Sequence, residues 1–139
     1  IEAMLKRPSV RLSEAHEDDL ADKDCLIIDS FGLLSSIYRY GQIAYIGGGF
    51  GAGIHNTLEA AVYGMPVLFG PRYHKFKEAK DLIAIGGGFS ITDDSSFRTK
   101  MDELLTDPTA LETSGQAAGD FVKNSVGATD QILRQIHIR

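Results

Sequence analysis

The amino-acid sequence predicts an α/β fold, a three-layer, Rossmann-like parallel sheet with helices on both faces. Short apolar runs alternate with longer segments of helical periodicity, which is the pattern of repeated βαβ units. Residues 43–71 supply one such unit, because an apolar run, a glycine-rich loop, a helical segment and a second apolar run follow one another. The 139 residues are 43% hydrophobic, which suits a single domain spanning 1–139 with its own core.

Composition narrows the classes of function. The formal net charge is −5 and the chain has no run rich in lysine and arginine, which argues against a nucleic acid as partner. The apolar runs fall far short of the roughly 20 residues that span a bilayer. Cys25 is the only cysteine, so no disulfide can form within the chain. The chain opens at Ile1 without a methionine, and we therefore expect it to be part of a longer protein.

The first part of the chain predicts two strands and one helix before the glycine-rich unit. Residues 10–12 and the apolar run 26–28 are predicted as short strands, and the acidic stretch 14–23 between them predicts a loop. Apolar residues recur at helical spacing over 33–40, which predicts a helix. A strand at 43–46 then leads into the glycines.

The later elements continue this alternation. The predicted strands are 66–69 and 89–91, and the predicted helices are 56–64, 76–85, 94–106, 108–124 and 129–136. Pro108 favours a helix start, because a first-turn residue has no helical partner for the N–H that proline lacks. The sequence IGGGF occurs twice, and its second copy, at 85–89, ends a helix, so we expect Gly86 to act there as a C-cap.

Five glycines within seven residues form the loop after the strand 43–46. They are Gly47, Gly48, Gly49, Gly51 and Gly53. Glycines let the backbone approach a ligand closely, and a helix N-terminus just after them offers free N–H groups to a phosphate. Neither the dinucleotide fingerprint nor the P-loop pattern is present. Two interpretations stay open: a different phosphate cradle, or close packing of strand against helix.

Several motifs follow one another in a specific order. They are D-x-x-G-x-L-x-x-x-Y at 29–38, G-G-x-F at 47–50, G-x-H-N-x-L-E at 53–59, G-x-P-V at 64–67 and G-P at 70–71. Together they resemble the C-terminal domain of 3-deoxy-D-manno-octulosonic acid (Kdo) transferases. The sequence departs from the family pattern at Leu33, where glutamate is common, at Ile54, where a second glycine is usual, and at Ala60, where proline is frequent.

This resemblance implies the C-terminal half of a two-domain GT-B glycosyltransferase. That half binds the donor CMP-Kdo, and the full enzyme is an inverting transferase that moves Kdo to a lipid A precursor in lipopolysaccharide synthesis, at the cytoplasmic face of the bacterial inner membrane. The resemblance further implies that the N-terminal half, which carries the catalytic base, the acceptor site and the membrane contact, is absent from this chain. The resemblance thus implies no catalytic residue, no metal or other cofactor, and no activity for the chain alone.

The resemblance also implies donor-binding roles. The implied residues are Ser30, Phe31, Gly32, Gly47, Gly48, Gly49, His55, Asn56, Thr57 and Glu59. The first three would line the cytosine pocket, although Phe31 could equally be core. The glycines, with the N–H groups of Asn56 and Thr57, would hold the donor phosphate. Glu59 would accept hydrogen bonds from the ribose hydroxyls, or form a capping box with Asn56. His55 would contact the donor phosphate or carboxylate, or hold the loop through a backbone hydrogen bond.

Other interpretations remain at the level of sequence. The basic and aromatic loop 72–75 could meet the anionic sugar acid or be solvated. The domain could belong to a GT-B transferase that uses a UDP-sugar, which competition between CMP and UDP would reveal. It could also be a non-catalytic nucleotide-binding module, which a full reading frame without an upstream α/β domain would favour.

Overall fold

The computed structural model describes residues 9–11, 13, 25–27, 34–51 and 53–137, and the chain separates into two compact units, Ile1–Ile37 and Tyr38–Arg139. In the first unit, strand β1 (Ser9–Arg11) pairs in parallel with strand β2 (Cys25–Ile27), and helix α1 spans Leu34–Ile37. Both strands begin one residue earlier than predicted. The loop predicted at 14–23 lies outside the described residues, and the single-domain interpretation stays a prediction.

The second unit contains a parallel sheet of three short strands with β4 at its centre. The strands are β3 (Ala44–Ile46), β4 (Val67–Phe69) and β5 (Gly88–Ser90), in the order β3-β4-β5. The helices are α2 (Leu58–Ala61), α3 (Lys77–Ala84), α4 (Asp94–Thr106) and α5 (Pro108–His137), and a 3₁₀ turn covers Tyr38–Tyr40. Ile46, Phe69 and Ser90 are aligned across the sheet, so the loops after all three strands leave from the same edge.

Side chains of β4 alternate between two buried clusters, one on each face of the sheet. Val67 and Phe69 belong to a cluster completed by residues of α2, α3 and α5. Leu68 belongs to the opposite cluster, with Ile91 and with Leu104 of α4. The three β4 side chains are fully buried, and a strand buried on both faces is typical of a parallel sheet between helical layers. The predicted fold class is therefore confirmed.

Helix α2 is shorter than the predicted helix 56–64. Thr57 occupies its N-cap position, so Asn56 lies outside the helix. At the other end, Tyr63 and Gly64 donate to carbonyls three residues back, at Ala60 and Ala61, and Gly64 has φ +76. The bonds at this end tighten the last turn, and the left-handed residue stops the helix there.

The end of the chain also differs from the prediction. The helices expected at 108–124 and 129–136 are one continuous helix, α5. The gap predicted at 125–128 contains one glycine, Gly127, and a single interior glycine costs only about 1 kcal/mol relative to alanine, which does not by itself end a helix.

Two features of this unit depend on glycine: the end of α3 and the packing of α5 against the turn after α2. Gly86 has φ +82 and donates to the Ile83 carbonyl, while Gly87 donates to Leu82, which is the Schellman pattern; the predicted C-cap at the end of α3 is confirmed. Elsewhere, α5 packs directly on the turn after α2. A Cβ on Gly115 would overlap the Gly64 carbonyl oxygen, so two backbones meet there without side chains between them.

Candidate functional site

The candidate site lies at the carboxyl edge of the sheet, where the loops after β3 and β4 run side by side. We call residues 47–51 together with Gly53 the glycine loop. Ile46 and Phe69 are register partners, so the glycine loop and the segment 70–72 leave the sheet next to each other. Ligands of parallel α/β sheets bind at this edge.

Gly48 turns the glycine loop back on itself. Its φ is +90, and its carbonyl accepts hydrogen bonds of 3.1 Å from the N–H groups of Gly51 and Gly53. A Cβ at this position would overlap the Gly53 carbonyl oxygen and would lie 2.6 Å from the His55 ring. Only glycine fits at position 48, because the turn requires a positive φ and leaves no room for a Cβ.

Gly49 and Gly47 differ in their surroundings. Gly49 is buried, and a Cβ on it would overlap the Gly70 amide nitrogen, so its missing side chain allows the two loops to pack together. Gly47 is exposed, and a Cβ on it would meet nothing within 4 Å. Packing therefore accounts for Gly48 and Gly49, whereas open space lies beside Gly47. That this space receives a phosphate stays a prediction.

His55 closes the base of the glycine loop through its backbone. Its N–H donates to the Gly47 carbonyl at 3.0 Å, which is the loop-holding role proposed for this residue. Its side chain is exposed and remains available to a ligand. The structure thus gives His55 the structural role without occupying its imidazole.

Asn56 and Glu59 interact, but not as the predicted capping box. The Asn56 Oδ1 atom accepts from the Leu58 N–H at 2.9 Å, which caps α2 from outside the helix. The Glu59 carboxylate accepts from the Asn56 side-chain amide at 3.5 Å rather than from its backbone N–H. One weak contact leaves most of the acceptor capacity of Glu59 free.

The side chain of Tyr38 interacts electrostatically with the carboxylate of Glu59. The pKa of Tyr38 is raised, first because the phenol is partly buried and second because the negative charge of Glu59 opposes its ionisation. Tyr38 also packs against the cluster that contains Val67 and Phe69. The tyrosine of the first family motif thus lies beside the glutamate of the third.

A cavity of about 290 Å³ lies between the segment 54–58 and the start of α3, and neither Glu59 nor any of Gly47, Gly48 and Gly49 lines it. Its lining comprises Ile54, His55, Asn56, Thr57, Leu58, Phe76 and Glu78. The volume is near the lower end of small-molecule sites, which run from about 300 to 1,000 Å³. Three predicted site residues, His55, Asn56 and Thr57, therefore share one cavity.

Four residues of this cavity are not among the predicted site residues: Ile54 and Leu58 from the same motif, and Phe76 and Glu78 from later in the chain. Phe76 and Glu78 belong to the helix predicted at 76–85, whose apolar spacing also predicts burial of Phe76. The structure places Phe76 at the N-cap position, before the first residue of α3. The Phe76 ring instead approaches the glycine loop, where a Cβ on Gly53 would lie 2.9 Å from it. The predicted burial of Phe76 is therefore wrong: the side chain is 36% exposed, because it lies against an exposed loop rather than in the core.

A larger and more apolar cavity of about 480 Å³ lies beside Tyr45, Phe50 and Phe97. It contains none of the predicted site residues. Its carboxylates are already engaged, because Asp93 caps α4 through the Ser96 N–H and Asp94 pairs with Arg98 at 2.9 Å. The smaller cavity, whose His55 side chain is free, is the better candidate site.

Several expectations fall outside what the structure describes. Ser30, Phe31 and Gly32, predicted to line the cytosine pocket, lie in undescribed positions. Within the described part of the chain, no three side chains of the metal-binding types come together as a possible ion site. In the same part, no helix combines the length and apolar character needed to cross a bilayer.

Comparison with known proteins identifies similar sequences. No protein-family model matches the chain. The chain is 39% identical over 85 residues to the 3-deoxy-D-manno-octulosonic acid transferase of Aquifex aeolicus. These 85 residues cover 60% of this chain and 24% of that relative. The chain is 33% identical over 116 residues to the Rickettsia conorii protein of the same name, covering 81% and 25%. The chain thus spans about a quarter of the length of these curated relatives.

A solved structure resembles the chain as well. The C-terminal CMP-Kdo binding domain of WaaA from Acinetobacter baumannii superposes with a TM-score of 0.72 and 26% identity, covering 82% of this chain and 60% of that one. The predicted resemblance is confirmed at both levels: this chain is similar in sequence to 3-deoxy-D-manno-octulosonic acid transferases and in structure to the C-terminal CMP-Kdo binding domain of WaaA.

Proposed function

We propose that this chain is the donor-binding domain of a Kdo transferase and that it holds CMP-Kdo. The observation that carries the proposal is the structural match to a CMP-Kdo binding domain over 82% of this chain. The cavity that joins His55, Asn56 and Thr57 at the carboxyl edge of the sheet supports it, because a nucleotide is expected at that edge.

In this proposal, different residues of the chain bind the phosphate, the ribose and the cytosine of CMP-Kdo. The open space beside Gly47 receives the phosphate, and the exposed His55 imidazole, whose ring lies close to Gly48, contacts it. The Glu59 carboxylate, which has spare acceptor capacity, takes the ribose hydroxyls. Ser30, Phe31 and Gly32 remain the proposed cytosine pocket.

In the proposed reaction, an N-terminal domain supplies the catalytic base, and this chain stabilises the charge of the leaving phosphate. An acceptor hydroxyl of a lipid A precursor attacks the anomeric carbon of Kdo with inversion, the bond to the CMP phosphate breaks, and the hydroxyl proton passes to a base in an N-terminal domain. This chain stabilises the departing phosphate with oriented hydrogen-bond donors. We propose no metal and no other cofactor for this step.

The proposal extends to the surroundings of the whole protein. The N-terminal domain would complete the cleft and contact the cytoplasmic face of the inner membrane, where the acceptor is found. Half of a cleft binds weakly, because the missing wall contributes burial. We therefore expect the 139-residue chain to bind CMP with a free energy of roughly −4 to −6 kcal/mol and to catalyse no transfer alone.

Nuclear magnetic resonance titration of the isotope-labelled chain tests this proposal. CMP should shift the backbone resonances of Gly47, His55 and Glu59, and UDP should bind more weakly. Tighter binding of UDP would favour a transferase that uses a UDP-sugar. The absence of CMP-dependent shifts at these positions up to millimolar nucleotide would contradict the donor-binding role.

A further inference from the structure

Arg72 connects the loop after β4 to the glycine loop at two points. Its backbone N–H donates to the Gly49 carbonyl at 2.8 Å, and its side-chain Nη1 donates to the Gly51 carbonyl at 2.9 Å. The first bond is available to any residue other than proline at this position. The second depends on the arginine side chain.

Among the described residues, the Gly51 backbone has one other hydrogen bond, from its N–H to the Gly48 carbonyl. Gly51 is exposed, and a Cβ on it would approach only the Gly48 carbonyl, at 3.8 Å. The neighbouring Phe50 is 52% exposed, so its ring does not anchor the loop in the core. Without the Arg72 side chain, the Gly51 carbonyl would have water as its partner in place of the guanidinium.

The guanidinium also brings an uncompensated positive charge to the glycine loop. Arg72 is exposed, and among the described residues no carboxylate forms an ion pair with it. Guanidinium has five N–H donors, of which one is used by Gly51. The planar fork of the remaining donors suits a phosphate.

We propose that Arg72 is a positioning residue for the phosphate of the donor nucleotide. Its side chain fixes the glycine loop through the Gly51 carbonyl, and its charge favours an anion beside that loop. This inference rests on the proposed function, and it assigns to Arg72 the recognition of the phosphate rather than of the nucleoside.

The experiment compares CMP with cytidine, which lacks the phosphate, by titration of the full 139-residue chain. Arg72→Ala should weaken CMP binding about tenfold, because a hydrogen bond to a charged group is lost, and should change cytidine binding much less. Arg72→Lys, which keeps the charge, should recover most of the CMP affinity. Lys80→Ala is the matched control, since it removes one exposed cation from α3.

Each alternative gives a different result. An equal loss of CMP and cytidine affinity in Arg72→Ala would mean that the arginine only shapes the loop, and unchanged CMP affinity would mean that it does neither; both overturn the proposal. If Lys80→Ala reduced CMP affinity as much as Arg72→Ala, net charge rather than position would be responsible, and the proposal would again be wrong. Failure of the unmodified chain to bind CMP would instead refute the proposed function, and the role of Arg72 with it.

Discussion

Gly47 and Gly49 allow the packing role of the glycine loop to be separated from its binding role. The two residues are neighbours in the motif and receive the same substitution, glycine to alanine. At Gly49, the added methyl group would overlap the Gly70 amide nitrogen, which belongs to the backbone and cannot rotate away. At Gly47, the same methyl group would enter space that is empty to 4 Å.

The expected magnitudes follow from these surroundings. Gly49→Ala forces two strand ends apart, and overpacking of this kind costs typically about 1–3 kcal/mol of unfolding free energy. For a domain of this size that lowers Tm by roughly 4–12 °C. Gly47→Ala introduces no contact, and alanine restricts the unfolded chain, so stability should stay unchanged or rise by up to about 1 kcal/mol. CMP affinity should nevertheless fall in Gly47→Ala, because the methyl group occupies the space proposed for the phosphate.

Thermal unfolding and CMP titration of both variants check the reasoning. A Gly49→Ala variant as stable as the unmodified chain would show that the contact with Gly70 does not constrain the loop. A Gly47→Ala variant with unchanged Tm and unchanged CMP affinity would refute the phosphate position beside Gly47. The second result would stand whatever the outcome for Gly49, because the stability of Gly47→Ala serves as its own control.

Three further predictions concern other parts of the chain. Glu59→Gln should weaken CMP binding clearly while Tm falls by only a few degrees, since the carboxylate makes one 3.5 Å contact with Asn56; a large loss of Tm with intact binding would favour a capping role. The Ser96 N–H lowers the pKa of Asp93 below its ordinary value of 3.8, so the stabilising effect of the Asp93 charge should be present above about pH 4 and disappear as the pH falls through the folded-state pKa. The measured difference in Tm between the unmodified chain and Asp93→Asn should shrink over that range, and a constant difference would contradict the assignment. Purified chain incubated with CMP-Kdo and a lipid A precursor should yield no product, and turnover at the rate of an intact enzyme would place the catalytic base within these residues.

Local pattern predicted those elements whose ends are determined by nearby residues. Helix α4 begins and ends where expected, because Asp93 and Ser96 form a capping box at its start. The cap at Gly86 was likewise visible in sequence. Helix α2 was predicted too long, since the apolar run continued to Gly64 and the tight hydrogen bonds of Tyr63 and Gly64 leave no signal in the periodicity.

The site was only partly predictable for a related reason. His55, Asn56 and Thr57 are consecutive in a motif, and this local proximity brings them to one cavity. Phe76 and Glu78 reach the same cavity through the path of the chain after β4, which no local pattern encodes. The open space at Gly47 and the tight space at Gly49 look identical in sequence and become different only when Gly70 lies beside one of them.

The close approach of Gly115 to Gly64 links helix α5 to the candidate site. A side chain at Gly115 would have to push α5 off the turn that follows α2, and α2 carries Glu59. A deep mutational scan for nucleotide binding should therefore mark Gly115 as sensitive, although it lies on a helix that contributes no residue to the cavity. Loss of nucleotide binding at such a position would result from displacement of the backbone that carries Glu59. A search restricted to residues near the nucleotide would miss this effect.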